Sequence, residues 1–176
     1  EPGYREISLA AGSLPGWQGA SSAAAGLFGD DYRFHTSVAG AATSVAVWEF
    51  TDLAPGTYEV LATWPAQENR ASNAPFSVVV QRTQPQGGLG DLATSILVNQ
   101  KFAPSGPVVG GRPWVSLGVF TTEGTTIRIE LNNNADGVVA ADAIRLVRVN
   151  PATGLPFTVE PMLTRLDLSG NPLNSS

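Results

Sequence analysis

Two single charges stand in apolar surroundings of this sequence, and both could take part in chemistry. Arg70 lies in the polar segment between Trp64 and Phe76, and Asp142 interrupts the apolar run 138–146. A buried charge is stable only when it is paired or hydrogen-bonded. A planar guanidinium suits a bidentate contact with a carboxylate. The sequence therefore predicts either a structural ion pair between Arg70 and Asp142, which we favour, or direct contact of these groups with a ligand.

The ion pair would have consequences for the polar loop that carries Arg70. If 138–146 is an unbulged strand, Asp142 shares the core face with Ile144 and Leu146, because strand side chains alternate. Pairing with Arg70 would then order the loop 65–75. The ordered loop would position Asn69, Asn73 and Gln100 at one rim of the domain. Planar amides at a rim are suitable partners for sugar hydroxyls.

Tryptophan is abundant, with four residues in the chain. The apolar C–H face of a sugar ring stacks on an indole ring. Trp17 lies in the loop-like segment 15–19 and Trp114 opens a strand, so both are candidates for ligand contact. Trp48 and Trp64 are expected in the core. The predicted ligand-binding residues are Trp17, Asn69, Arg70, Asn73, Gln100, Trp114 and Asp142.

Residue types argue against catalysis and against a metal centre. His35 is the single histidine, no serine lies in a Gly-x-Ser-x-Gly elbow, and no pair of carboxylates stands out. The segment 132–137 is similar to the first half of a calcium loop, but Ala143 occupies the bidentate position, so we favour a hairpin turn. Asp30 and Asp31 are an alternative calcium site. No cofactor is predicted, although a structural calcium ion is an alternative that the sequence leaves open.

Composition and charge narrow the class of protein. The 176 residues are 43% hydrophobic and 14% charged, which excludes a disordered chain and allows a sizeable core. The net charge of -5 and the single lysine, Lys101, argue against nucleic acid as a partner. Cysteine is absent, and no apolar run is long enough for membrane insertion. The start at Glu1 suggests a processed or excised piece.

Short apolar segments separated by glycine and proline predict an all-β protein. Alternation is clear in 126–131, where Ile127, Ile129 and Leu131 share one face. Eight or nine strands at this spacing predict a jelly-roll β-sandwich. The predicted strands are 5–9, 32–36, 44–50, 56–64, 76–82, 94–100, 114–120, 126–131 and 138–149. Only 21–26 shows a short helical tendency.

The C-terminal part differs from the body of the chain. We expect residues 1–149 to form the β-sandwich domain and residues 150–176 to be a linker and tail. The segment 163–173 resembles one leucine-rich repeat. A single repeat cannot bury its own leucines, so a loosely packed terminal strand is the alternative interpretation.

The stretch 48–149 resembles the golvesin C-terminal-like domain, also called the xanthan-lyase-type carbohydrate-binding domain. The pieces that carry the resemblance occur in the family's order: 55–60, 64–65 with 69–76, 98–100, 114–118 with Phe120, and 138–146. Two segments, 84–91 and 103–112, are longer here and could reshape a binding rim. The resemblance implies a galactose-binding-like β-sandwich with no catalysis of its own.

The resemblance also implies a function and a location. We expect a non-catalytic, extracellular carbohydrate-binding module of a larger bacterial secreted or cell-surface protein. Its partners would be a polysaccharide or cell-surface glycan and neighbouring domains of the same chain. The alternatives are a structural or adhesive spacer without a small ligand and, less favoured, a hydrolase that uses His35.

Overall fold

The structure is a computed structural model that describes residues 3–21 and 26–157. All regular secondary structure in this part of the chain is β, in thirteen strands. They are β1 Tyr4–Ser8, β2 Gln18–Ser21, β3 Asp31–His35, β4 Ser44–Phe50, β5 Gly56–Thr63, β6 Ala74–Thr83, β7 Leu89–Val98, β8 Val108–Val109, β9 Arg112–Pro113, β10 Val115–Thr122, β11 Ile127–Asn132, β12 Val139–Ala141 and β13 Ala143–Arg148. Each of the nine predicted segments overlaps at least one of them.

The first layer is a five-stranded sheet in the order β1-β4-β11-β6-β7, antiparallel throughout. Its central strand β11 shows why the sequence forms it. Ile127, Ile129 and Leu131 are fully buried on one face, whereas Arg128 and Glu130 are half-buried on the other. This period of two is the predicted alternation, and it turns one side of the sheet into a continuous apolar surface.

The second layer contains two three-stranded sheets, β10-β5-β13 and β12-β3-β2. Val60 and Ala62 of β5 belong to the same apolar cluster as Val78 of β6 and Ile129 of β11. Both layers thus cover one core, as packed sheets must. The predicted all-β sandwich of antiparallel sheets is confirmed.

The segment 138–149 is not one continuous strand, so the prediction of a single strand there is wrong, and the condition for placing Asp142 on the core face is not met. Its first half, β12, pairs with β3, and its second half, β13, pairs with β5 in a different sheet. Asp142 is the residue at which the chain crosses between these sheets. The crossing breaks the alternation, so Asp142 does not follow the core face of Ile144.

Three other segments differ in detail from the sequence prediction. Residues 132–137 are not a hairpin, because β11 and β12 belong to different sheets. The long segment 84–91 is part of an extended hairpin between β6 and β7. The long segment 103–112 contains the short ladder of β8 with β9 before Trp114.

The predicted linker begins with a turn that folds back on the sandwich. Asn150 N donates to Leu155 O over 2.8 Å, and Val149 bridges Pro156. The repeat-like segment 163–173 and most of the helical tendency at 21–26 lie outside the described residues. No helix among the described residues is long and apolar enough to cross a membrane.

Candidate functional site

A cleft of about 340 Å³ opens where β3 begins and the chain crosses between sheets at Asp142. It combines carboxylates, phenols, a guanidinium and an aromatic ring. Its lining residues are Tyr4, Phe28, Gly29, Asp30, Asp31, Tyr32, Arg33, Ala141 and Asp142. This size and mixture of groups is typical of a small-molecule site.

Asp142 ties the crossing point to the loop before β3. Its Oδ2 accepts a hydrogen bond from Phe28 N over 2.9 Å. The Phe28 ring in turn packs edge-on against Trp114, with ring centroids 5.2 Å apart. The carboxylates of Asp30 and Asp31 belong to exposed residues on the same cleft. The loop and the crossing point therefore both contribute aspartates to the lining of the cleft.

The opposite wall is organised by Glu6. Tyr4 donates its hydroxyl to Glu6 Oε1 over 3.2 Å, and Arg33 Nε lies 3.5 Å from the same oxygen. Burial, followed by the negative charge of Glu6, raises the pKa of the Tyr4 hydroxyl far above its ordinary value. Tyr4 therefore remains a protonated hydrogen-bond donor throughout the physiological pH range.

Arg70 lies behind the cleft and is only 2% exposed. Its Nη2 donates to the Tyr32 hydroxyl over 2.8 Å, and its Nε donates to Pro65 O over 3.3 Å. The guanidinium also lies over the rings of Tyr32 and Phe34, at 5.3 and 6.0 Å from their centroids. Hydrogen bonds and ring contacts of this kind stabilise a buried cation.

The predicted ion pair between Arg70 and Asp142 is therefore wrong. The ion pairs among the described residues use other arginines, and the Arg70 donors point to Tyr32 and Pro65. The two residues are still related through Tyr32, which contacts Arg70 and lines the cleft with Asp142. Arg70 contacts the lining of the cleft through the tyrosine and not through the carboxylate.

Gln100 is fully buried. Its side chain makes the backbone hydrogen bonds that a neighbouring strand would make at the edge of β12. Its Nε2 donates to Ala140 O and its Oε1 accepts from Ala140 N, both over 2.8 Å. The neighbouring loop is held in the same way, because Ala71 N donates to Val138 O over 2.9 Å. Both polar atoms of the carboxamide are thus hydrogen-bonded to the backbone that leads to Asp142.

Asn69 and Asn73 lie in the same neighbourhood, and both contact the segment before β12. Asn69 is exposed, and its backbone oxygen accepts from Val138 N over 3.0 Å. Asn73 Oδ1 accepts from Asp136 N over 2.8 Å. The structure thus brings Asn69, Arg70, Asn73 and Gln100 together as a brace around 136–140.

Trp17 and Trp114 lie inside the body, away from this brace. Trp17 is 8% exposed and donates from Nε1 to Ser44 Oγ over 2.8 Å. Trp114 is 2% exposed and donates to Val109 O over 3.1 Å. Their ring faces are covered by protein, as are those of Trp48 and Trp64, for which the core was expected.

His35, on which a hydrolase would depend, lies among backbone oxygens and an aromatic ring. The two ring nitrogens of His35 lie 3.1 Å from Pro15 O and 2.6 Å from Thr36 O, and the ring packs against Trp17. Within the described ranges, no group of three His, Asp or Glu side chains is placed to hold a metal ion. The residues of the cleft can donate and accept hydrogen bonds and stack on an apolar surface.

Sequence reasoning missed most of the cleft. The sequence suggests calcium as a ligand of Asp30 and Asp31 and no catalytic pair, and it does not single out Tyr4, Phe28, Tyr32 or Arg33. The available signal was the cluster Gly29-Asp30-Asp31-Tyr32, where a turn precedes a strand. Such strand ends are where a rigid sandwich presents its loops.

Comparison with known proteins agrees with this architecture. The family model described as Golvesin C-terminal domain matches residues 10–148. A xanthan lyase from Paenibacillus is 26% identical with a TM-score of 0.59, over 85% of this chain and 12% of the lyase chain. The chain therefore spans a small part of the length of that protein.

Two more distant structures have a similar outline. The K1 cleaved adhesin domain of Lys-gingipain from Porphyromonas gingivalis W83 is 11% identical with a TM-score of 0.45, over 85% of this chain and 93% of that one. A β-(1,4)-mannanase from Podospora anserina is 14% identical with a TM-score of 0.42, over 86% and 29%. No curated protein matches the chain. Because the family model covers most of the sequence and the described β-sandwich agrees with it, this chain belongs to the golvesin C-terminal domain family.

Proposed function

We propose that this chain is a non-catalytic carbohydrate-binding module that holds a polysaccharide or cell-surface glycan in the cleft at Asp142. The observation that carries the proposal is the composition of that cleft. It places three carboxylates and Arg33 beside Phe28 and two tyrosines in one concave surface of about 340 Å³. Planar polar groups beside aromatic carbon are the combination that a sugar requires.

The geometry supports distinct roles for the two sides of the cleft. Asp30, Asp31 and Asp142 would accept hydrogen bonds from sugar hydroxyls, and the Tyr4 hydroxyl would contribute a phenol beside them. Phe28 would cover the apolar face of the ring. The volume lies near the lower end of the range for small-molecule sites, about 300–1,000 Å³, so one or two sugar residues would be held.

Five of the residues predicted from sequence receive an indirect role in this proposal. Arg70 would position Tyr32, and Asn69, Asn73 and Gln100 would hold the backbone that leads into Asp142. Trp114 would support Phe28 from below. Asp142 keeps the predicted role of direct ligand contact, while Trp17 would serve the core.

The biological setting is part of the same proposal. We infer an extracellular or cell-surface location in a larger bacterial protein, with a sandwich over residues 1–149 followed by a linker and tail at 150–176. Support comes from the match to a segment of a xanthan lyase, a chain of which this domain spans 12%. The net charge of -5 disfavours nucleic acid as a partner.

Binding to a panel of polysaccharides, measured by affinity electrophoresis and calorimetry, tests the proposal. Asp31→Asn and Asp142→Asn should each weaken binding about tenfold or more, since a charge-assisted hydrogen bond becomes a neutral one. Glu68→Gln, an exposed acid away from the cleft, is the matched control and should bind like the unmodified protein. Equal loss in all three variants, or no binding of any glycan, would contradict the proposal.

A spacer without a small ligand is the second candidate function. The observation in its favour is the turn after β13, where Phe157 N donates to Arg148 O over 3.4 Å and the Arg148 guanidinium lies 5.7 Å from the Phe157 ring centroid. These contacts would fix the direction in which the following chain leaves the sandwich. A protein inert towards every glycan but thermally stable would favour this function.

A further inference from the structure

Strand β7 forms one edge of the five-stranded sheet and is unusually accessible. It runs for ten residues, Leu89–Val98, and most of them are exposed. Leu89 and Leu92 are each 53% exposed and Leu97 is 68% exposed. A long edge strand with exposed apolar residues is a template for pairing with another strand.

The other edges of the larger sheets carry features that oppose such pairing. Strand β1 has only five residues and includes Arg5 and Glu6. Strand β10 has a register shift between Ser116 and Gly118, and β13 carries Arg145 and Arg148. Charges, bulges and short length are the devices that keep sheet edges apart.

Strand β7 is long, has no bulge and carries a single charge. It contains no lysine, arginine or proline, and its pairing with β6 is continuous over all ten residues. Its one charge, Asp91, lies 3.4 Å from Arg128 on the same sheet. Among residues 3–21 and 26–157, no segment pairs with this edge, so it is open to a partner strand along its length.

The hairpin that precedes β7 fixes which backbone groups point outward. Gln84 N donates to Gly88 O over 2.9 Å, so this pair is hydrogen-bonded and the bonded pairs follow at every second position. Pro75 stands opposite Leu97 in a non-bonded pair, as its missing N–H requires. The outward N–H and C=O groups then belong to Leu89, Asp91, Ala93, Ser95 and Leu97, and no hydrogen bond between described residues reaches them.

We propose that a second copy of this chain pairs with β7 in antiparallel orientation, with a two-fold axis at Ala93. This register alone uses all the outward groups, because their positions are symmetric about residue 93. Leu89 then faces Leu97 of the second copy, and Asp91 faces Ser95, so no like charges are opposed. The two five-stranded sheets become one continuous sheet, and the interface is isologous, as a two-fold dimer requires.

Disulfide cross-linking tests the register, because the chain contains no cysteine. In the proposed dimer the two copies of residue 93 have Cα atoms about 5.5 Å apart, within the range for a disulfide. Ala93→Cys should therefore form a covalent dimer under mild oxidation. Ser95→Cys is the matched control on the same face, where the two cysteines would be about 14 Å apart and remain reduced. Equal cross-linking of both variants would overturn the proposed register.

Sedimentation velocity over a concentration series tests the dimer itself. Ala93→Lys and Ala93→Glu should each weaken dimerisation about fivefold through like charges across the axis, and an equimolar mixture should recover it as a heterodimer. Val119→Lys places the same charge at an exposed residue of β10 and should leave the dimer intact. Unmodified protein that remains monomeric at hundreds of micromolar, or a mixture that associates no better than either variant, would overturn the proposal.

Discussion

Arg70 and Tyr32 form a buried contact behind the candidate cleft. The arginine Nη2 donates to the tyrosine hydroxyl over 2.8 Å, and the guanidinium carbon lies 5.3 Å from the centroid of the same ring. Tyr32 lines the cleft, whereas Arg70 does not. We therefore expect the arginine to position one wall of the cleft from the protein interior.

Replacement of Arg70 tests this positioning role. Arg70→Met keeps much of the apolar stem but leaves the Tyr32 hydroxyl and Pro65 O without their donors. We expect a loss of about 3 kcal/mol in the free energy of unfolding, because two buried acceptors become unsatisfied. Chemical denaturation measures this loss directly. Tyr32→Phe, which removes only the hydroxyl, should cost about 1–2 kcal/mol.

The matched control for this experiment is Arg145→Met, at a half-buried residue of β13. Its stability should change by less than about 0.5 kcal/mol, as for most surface substitutions. An Arg70→Met variant as stable as the Arg145→Met variant would show that the buried contact contributes nothing.

Gln100 should be more important for stability than its polar side chain suggests. Gln100→Ala leaves both Ala140 N and Ala140 O buried without their partners, since Gln100 bonds to both. We expect a loss of about 2–4 kcal/mol, measured by denaturant unfolding. Asn99→Ala, at an exposed neighbour that accepts only from Lys101 N, is the control and should change stability little. Similar losses in the two variants would contradict the proposed brace.

We expect Trp17 and Trp114 to contribute to stability and not to stack directly on a sugar. Each is buried and donates an indole hydrogen bond inside the protein. Replacing either with alanine should cost about 3–5 kcal/mol through the cavity that remains. Thermal unfolding and glycan affinity should be measured on the same samples. A variant that remains stable but loses glycan binding would show that the replaced tryptophan contacts the ligand directly.

Asp136 provides a prediction about pH. The hydrogen bond from the Ser72 hydroxyl lowers the pKa of Asp136 below its ordinary value. Partial desolvation opposes this shift, and the hydrogen bond from Ser72 N adds to it. The unfolded state then binds more protons between the two pKa values, so stability rises with pH in that window. Its contribution is complete above the unfolded pKa of about 3.9 and disappears as pH falls through the lower, folded value.

The measurement is urea denaturation between acidic and neutral pH. Asp136→Asn should reduce stability at neutral pH and flatten its decline in acid. Asp52→Asn, at an exposed residue outside this contact, should retain the decline of the unmodified protein. Identical pH profiles for both variants and the unmodified protein would show that Asp136 does not contribute to the pH dependence of stability.

Local patterns in the sequence were sufficient for the fold class. The alternation in β11 and the turn residues between short apolar runs predicted all-β sheets, because side-chain direction along a strand depends only on local geometry. The same local patterns located nine segments that all contain strands. They could not show that 138–149 divides between two sheets, since both halves are rich in apolar residues and the choice of pairing partner is not a local property.

The sequence by itself identified Arg70 and Asp142 from their apolar context, and the tryptophans and Gln100 from residue type, as candidate site residues. Only the tertiary structure decided their partners. Arg70 faces Tyr32, which lies 38 positions earlier, and Asp142 accepts from Phe28, which lies 114 positions earlier. Such contacts depend on how the layers stack and where the chain crosses between sheets. The sequence encodes this stacking and this crossing through the packing of the whole core, so no local pattern of residues reveals them.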